Sequence, residues 1–138
     1  MRRNQTGINP VIKRIGFITT NKVLAQSLVT LIKNYPDLEF DPFTLSNLDQ
    51  AVLDAEVLNI DVAVVEIVLG TAPEVDAISR ICDGLHKAVP HCRILLLVPP
   101  GSDTGRGMAM EATRTKTIDD YVFCDASLDY LLAKLLYI

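Results

Sequence analysis

The sequence has no tryptophan and only three cysteines, Cys82, Cys92 and Cys124. An odd number at wide, irregular spacing excludes a disulfide framework and fits reduced thiols in a cytoplasmic protein. No stretch approaches ~18 consecutive apolar residues, and no apolar core follows the N-terminal arginines, so neither a membrane span nor an export signal is expected. There is no C-x-x-C, no Gly-Lys-Ser/Thr P-loop ending, no G-x-G-x-x-G after the first apolar run and no G-x-S-x-G elbow. Zinc modules, nucleotide cradles and serine hydrolases therefore lose their usual support. An excess of basic charge is also missing: 13 Lys and Arg stand against 17 Asp and Glu, for a net charge of -4. That is the wrong sign for a domain that tracks nucleic-acid phosphates. The short basic cluster of Arg2, Arg3, Lys13 and Arg14 reads as solvated charge.

What is present is 138 residues, 49% hydrophobic and 22% charged, enough for one domain with a core of its own. Residues 1–12 read as a flexible leader and 13–138 as a single unit without internal repeats. Arg14 to Thr19 is an apolar run rich in β-formers, and Asn21 is placed to cap a helix carrying Leu24, Leu28, Leu31 and Ile32 at helical spacing. Leu38 to Leu45 predicts a second strand, confined to a sheet edge by Pro42. Leu48, Ala51, Val52, Ala55 and Leu58 share a helical face. Val62 to Leu69 predicts a central strand buried on both sides. Pro73 sits where a first helical turn tolerates it, and Val75, Ile78, Cys82, Leu85 and Val89 recur at helical intervals up to Pro90. Ile94 to Val98 predicts a fourth strand, Pro99 to Gly107 a loop, and Gly107 to Thr115 a weakly patterned helix. A fifth strand, Tyr121 to Cys124, precedes a last helix capped by Ser127. Strands alternating with helices over short connections predict a doubly wound, five-stranded parallel sheet in a three-layer α/β/α sandwich, of flavodoxin type.

In such a sheet the chemistry lies where strands end, here at Thr19-Thr20, Glu66, Val98-Pro99 and Cys124-Asp125. The segments RIGFITTNKVLAQSL, IDVAVVEIVLG, RILLLVPP and DDYVFCDA, in this order over nearly all of 13–138, resemble the CheY-like receiver domain of bacterial two-component response regulators. The resemblance implies acidic residues after strand one, a phosphorylated Asp after strand three, a Ser or Thr after strand four and a Lys-Pro after strand five. The acids would hold Mg²⁺, the Asp would attack a phosphoryl group, and the hydroxyl and ammonium would bind its oxygens. In this chain Thr19 and Thr20 stand at the acidic positions and Glu66 at the acceptor. Leu69-Gly70 stands at the following turn, Val98 at the hydroxyl, and Cys124 with Asp125 at the Lys-Pro. The phosphorylation site is thus degenerate at Thr19, Thr20, Glu66, Val98 and Cys124, and a pseudo-receiver is expected. Glu66 has two readings: a permanent carboxylate imitating the phosphorylated state, or a polar strand-end residue. The second is favoured because one carboxylate lacks the charge and oxygen count of a phosphoryl group.

Three further constellations were weighed. Cys82, His86, His91 and Cys92 have poor spacing for zinc, and Cys82 belongs to a core stripe, so no metal and no cofactor are expected. The glycines of GSDTGRG read as a loop, with an anion or nucleotide site at 99–107 as the alternative. In the last helix Leu128, Leu131, Leu132 and Leu135 already supply a core stripe. Tyr130, Ala133, Leu136 and Tyr137, with Tyr121, then make a candidate interface, at the place where the resemblance puts the usual dimer or effector surface. The expected function is a phosphorylation-independent signalling domain, not an enzyme, associating as a homodimer. The resemblance implies the regulatory part of a transcription regulator, with a DNA-binding domain in a longer chain and no direct contact of this domain with nucleic acid or membrane. The alternative is a small-ligand or nucleotide sensor using the loop 99–107.

Overall fold

The computed structural model describes residues 12–66 and 72–138, the side chains of 72–77 excepted. The leader, and the predicted continuation of the third strand to Leu69 and the Leu69-Gly70 turn, lie outside the described residues. Five strands, β1 (Lys13–Ile18), β2 (Phe40–Leu45), β3 (Val62–Glu66), β4 (Arg93–Val98) and β5 (Asp120–Phe123), form one parallel sheet in the order β2-β1-β3-β4-β5. The helices are α1 (Lys22–Lys33), α2 (Ala51–Leu58), α3 (Ala72–Ala88), α4 (Asp103–Arg114) and α5 (Leu128–Tyr137). This is the predicted doubly wound sandwich, with β3 in the middle and β2 at an edge, where Pro42 removes no bond that the sheet needs. No helix among the described residues is long and apolar enough to cross a membrane.

Two apolar layers sandwich the sheet. On one side Ile18, Ala63, Val65, Leu96 and Val98 pack with Ala51, Ala55, Ile81 and Leu85. On the other, Ile15, Phe17, Val62, Val64 and Leu95 meet Leu28 and Ile32 of α1 and Leu131, Leu132 and Leu135 of α5. Alternate residues of β3 point into opposite layers, which is why its sequence is apolar without alternation.

Polar side chains fix where the strands begin. The Asp61 carboxylate accepts the Arg14 N–H at 2.8 Å, and Asp119 accepts the Ile94 N–H, also at 2.8 Å. Each satisfies a donor at the sheet's amino end. The Lys13 ammonium donates to the Leu135 and Leu136 carbonyls at the end of α5, at 3.0 and 3.2 Å, complementing that helix terminus.

Several predicted boundaries move. β1 and β5 each begin and end one residue earlier than expected. β2 begins at Phe40, because Pro36–Leu38 closes a 3₁₀ turn that leads into Glu39 at φ 55°. α2 begins at Ala51, three residues after Leu48. The larger correction is the loop expected at 99–107, which extends only from 99 to 102. The Ser102 hydroxyl accepts the Gly105 N–H at 3.0 Å, Asp103 favours the first turn and pairs with Arg106 at 3.1 Å, and Gly105 and Ala109 are buried. An N-cap and a buried small-residue face thus prevail over two glycines that are poor helix formers.

Two glycines test this packing in opposite directions. A Cβ on Gly84 of α3 would lie 2.9 Å from a Val52 methyl of α2, whereas one on Gly107 would meet nothing within 4 Å. Gly84→Ala is expected to lower unfolding free energy by about 1–3 kcal/mol, and Gly107→Ala to raise it by about 0.5–1 kcal/mol. Urea midpoints at constant slope check both.

Candidate functional site

The chain order reverses direction between β1 and β3, so the carboxyl ends of these strands flank the natural ligand crevice of the fold. Thr19 follows β1 and is buried, Thr20 beside it is exposed, and Glu66 ends β3 half-buried. The Thr19 hydroxyl donates to Glu66 Oε1 and accepts the Asn21 N–H at 2.9 Å. Asn21 in turn caps α1, its Oδ1 accepting the Leu24 N–H at 3.0 Å. One hydroxyl therefore ties the ends of two strands to the start of the first helix. Among the described residues no ammonium or guanidinium pairs with Glu66.

Among the described residues the other two strand ends add one acid, Asp125, and no ammonium or guanidinium. Val98 is fully buried, and its carbonyl accepts the Cys124 N–H at 2.8 Å, which sets Cys124 beside it past the end of β5. Cys124 is exposed, and it is among the residues that line a mostly apolar cavity of about 150 Å³ with Leu24 and Leu28 of α1 and Leu128 and Leu131 of α5. Desolvation raises its pKa above the ordinary thiol value, and the negative charges of Glu66 and Asp125 add to the rise. The structure thus brings Thr19, Glu66, Val98 and Cys124 together at one end of the sheet. Chemically the group offers one hydrogen-bonded carboxylate, a thiol kept protonated and valine methyls. That is neither a set of oxygen ligands for a hard cation nor a cluster of donors for phosphate oxygens.

The four residues considered for zinc are engaged elsewhere. Cys82 and Cys92 are buried, and desolvation pushes their thiols up to about 11 and about 12. His86 Nε2 lies 2.6 Å from the Thr117 carbonyl, and His91 Nε2 lies 3.7 Å from Asp61.

The last strand and helix present the second candidate surface. Tyr137 is 83% exposed, Tyr130 49% and Leu136 40%, with Ala133 also exposed. Tyr121 is half-buried, its ring edge-on to Phe123 with centroids 6.0 Å apart. Two features here carried no sequence signal. Lys134 pairs with Asp120 at 2.5 Å across 14 residues, and its ammonium lies 5.4 Å from the Tyr130 ring centroid. The hydrogen bond to Asp120 raises the Lys134 pKa. Met110 of α4, 55% exposed, falls within the helix expected from Gly107 to Thr115, and a lone methionine in a weakly patterned helix gives no sign of which way it faces.

The strand-end geometry predicts an order of thiol reactivity. At mildly alkaline pH a disulfide reagent should label Cys124 alone in the folded protein, more slowly than a free cysteine, with Cys82 and Cys92 labelled only on unfolding. Glu66→Gln removes one of the two negative neighbours and should speed Cys124 labelling. An unchanged rate would mean that Glu66 does not face the thiol.

No protein-family model matches the sequence, and neither does any curated protein. Solved structures do match. The adenylate cyclase from Rhodopirellula baltica superimposes at a TM-score of 0.70 and 16% identity, over 91% of this chain and 85% of that one. The signal receiver domain of a putative Luxo repressor protein from Vibrio parahaemolyticus gives 0.69 and 16%, over 91% of each chain. A two-component response regulator from Clostridium difficile gives 0.68 and 19%, over 89% of this chain and 92% of the other. At TM-scores of 0.68 to 0.70 over about nine-tenths of its length, the chain has the fold of the CheY-like receiver domains of response regulators.

Proposed function

We propose that the chain is a receiver-like signalling domain that acts by protein association, without phosphoryl transfer to an aspartate and without enzymatic activity of its own. The observation that carries this reading is the Thr19 to Glu66 hydrogen bond, which stands where a working receiver would keep metal-binding acids and a free acceptor. Phosphoryl transfer depends almost wholly on positioning and on neutralising charge. Here Val98 and Cys124 supply neither a hydroxyl nor an ammonium. The same gap counts against Glu66 as an imitation of the phosphorylated state, because no side-chain donor on β4 or β5 faces it to read the charge. Glu66 is better understood as a tie between strands.

Association is assigned to the face made by β5, α4 and α5. Tyr130, Leu136 and Tyr137 of α5 expose apolar and aromatic surface that the domain's own core does not need, and Met110 of α4 is exposed as well. Aromatic residues are enriched where interfaces bury energy. A second copy is the expected partner, giving a homodimer in the cytoplasm that controls an effector. A transcription regulator is the form that the receiver fold suggests, with neither nucleic acid nor membrane touching this domain directly. A ligand-sensing role has less support, since α4 begins at Asp103 and leaves only 99–102 as loop.

Sedimentation velocity at ~500 mM salt, where a charge-dependent contact elsewhere on the surface is screened, on the wild type and on Tyr137→Ser, each with and without Mg²⁺ and acetyl phosphate, tests the reading. The wild type should dimerise to the same extent with and without the phosphodonor, and Tyr137→Ser should weaken the dimer at least ~10-fold. A dimer that forms only with the phosphodonor would overturn the proposal.

A further inference from the structure

Charge is segregated along this sequence in a way that the net value conceals. Residues 1–36 contain six Lys and Arg and no acid, whereas residues 37–79 contain ten Asp and Glu and no Lys, Arg or His. The fold places one helix of each stretch, α1 and α2, on opposite faces of the sheet, although Arg14 of β1 reaches the Leu58 carbonyl at the end of α2 at 2.7 Å. Leu28 and Ile32 of α1 pack into one apolar layer and Ala51 and Ala55 of α2 into the other.

Each face also carries unpartnered apolar surface. α2 has apolar residues around its whole circumference, interrupted only by Asp54 and Glu56, rather than one apolar stripe. Leu53 is 54% exposed and Val57 75%, one turn apart, flanked by exposed Asp49 and Glu56. They form an acidic ridge with an apolar crest. On the opposite face an open groove of about 710 Å³ runs along α1 to the start of α5, lined by Lys22, Val23, Ser27, Leu31 and Leu128 among others. Val23 is 78% and Leu128 55% exposed, and α1 itself bears Lys22 and Lys33 and no acid. The nearest acids in sequence, Asp125 and Asp129, lie at the α5 end. Both surfaces are apolar at their centres, and the charges beside them, Asp49 and Glu56 against Lys22 and Lys33, are opposite in sign.

We propose that the α2 ridge of one copy docks into the α1 groove of the next, head to tail. The two surfaces differ and lie on opposite faces of the sheet, so the contact is heterologous and leaves a free ridge and a free groove at the ends of the assembly. Such an association grows with concentration and weakens with salt. It is independent of the face made by β5, α4 and α5. A chain carrying both contacts would link closed dimers into longer arrays.

The experiment is sedimentation velocity in the Tyr137→Ser background, which removes the other contact. Val23→Asp places an acid in the first turn of α1 and Val57→Lys a base in the last turn of α2, changes that suit both helix termini and leave the fold intact. The parent should form open-ended oligomers up to ~0.5 mM that dissociate at least ~10-fold more readily when salt rises from ~50 to ~500 mM. Each variant alone should be monomeric, and an equimolar mixture should form a 1:1 dimer, since one intact ridge and one intact groove remain. A monomeric parent, oligomers indifferent to either substitution, or a mixture that stays monomeric would overturn the proposal. So would equal loss of association in Arg2→Ala/Arg3→Ala, which would assign the acidic ridge to the chain's own basic leader.

Discussion

Burial of β3 on both faces is the constraint from which the rest of the molecule follows. Val62 and Val64 enter one apolar layer, and Ala63 and Val65 the other. At roughly 1.5–3 kcal/mol for each fully buried aliphatic side chain, this short strand contributes far more than its length suggests. Flanked by β1 and β4 and apolar on both faces, it cannot slip by one residue without drawing Asp61 or Glu66 into a buried position. Its carboxyl end is thereby held beside the end of β1, where Thr19 and Glu66 meet.

Packing brings the site together, but its chemistry is decided by which side chains arrive there. A hydroxyl that donates to Glu66 and accepts from Asn21 spends its hydrogen-bonding capacity on structure. A working phosphoacceptor needs an accessible carboxylate and nearby positive charge. The site has instead a tethered glutamate, a buried valine and a thiol whose ionisation its acidic neighbours oppose. The fold has kept the geometry of a strand-end crevice while its residues perform the work of a cap and a strand clasp.

The sequence was most legible where one physical effect dominated. Continuous apolar runs located β3 and β4 within a few residues, Pro42 placed β2 at an edge, and Asn21 and Ser127 marked helix starts that both proved to be side-chain caps. It was least legible where local signals competed. The glycines of α4 argued for a loop, and only the Ser102 cap together with burial of Gly105 and Ala109 reversed them. In the candidate site, strand ends brought together the predicted Thr19, Glu66, Val98 and Cys124, because position along a parallel sheet is a topological property. The Thr19 to Glu66 bond and the Lys134 to Asp120 pair were not legible, since contacts between residues 47 and 14 apart leave no periodic trace.

The central claim is that this receiver fold no longer binds a phosphoryl group. Its most direct test is to follow backbone amide chemical shifts of the labelled protein while Mg²⁺ and beryllofluoride, a mimic of the acyl phosphate, are added. The account predicts no saturable change at Thr19, Glu66, Val98 or Cys124. Saturable shifts at those four residues, with α5 following, would contradict it and identify a divergent receiver that is still switchable.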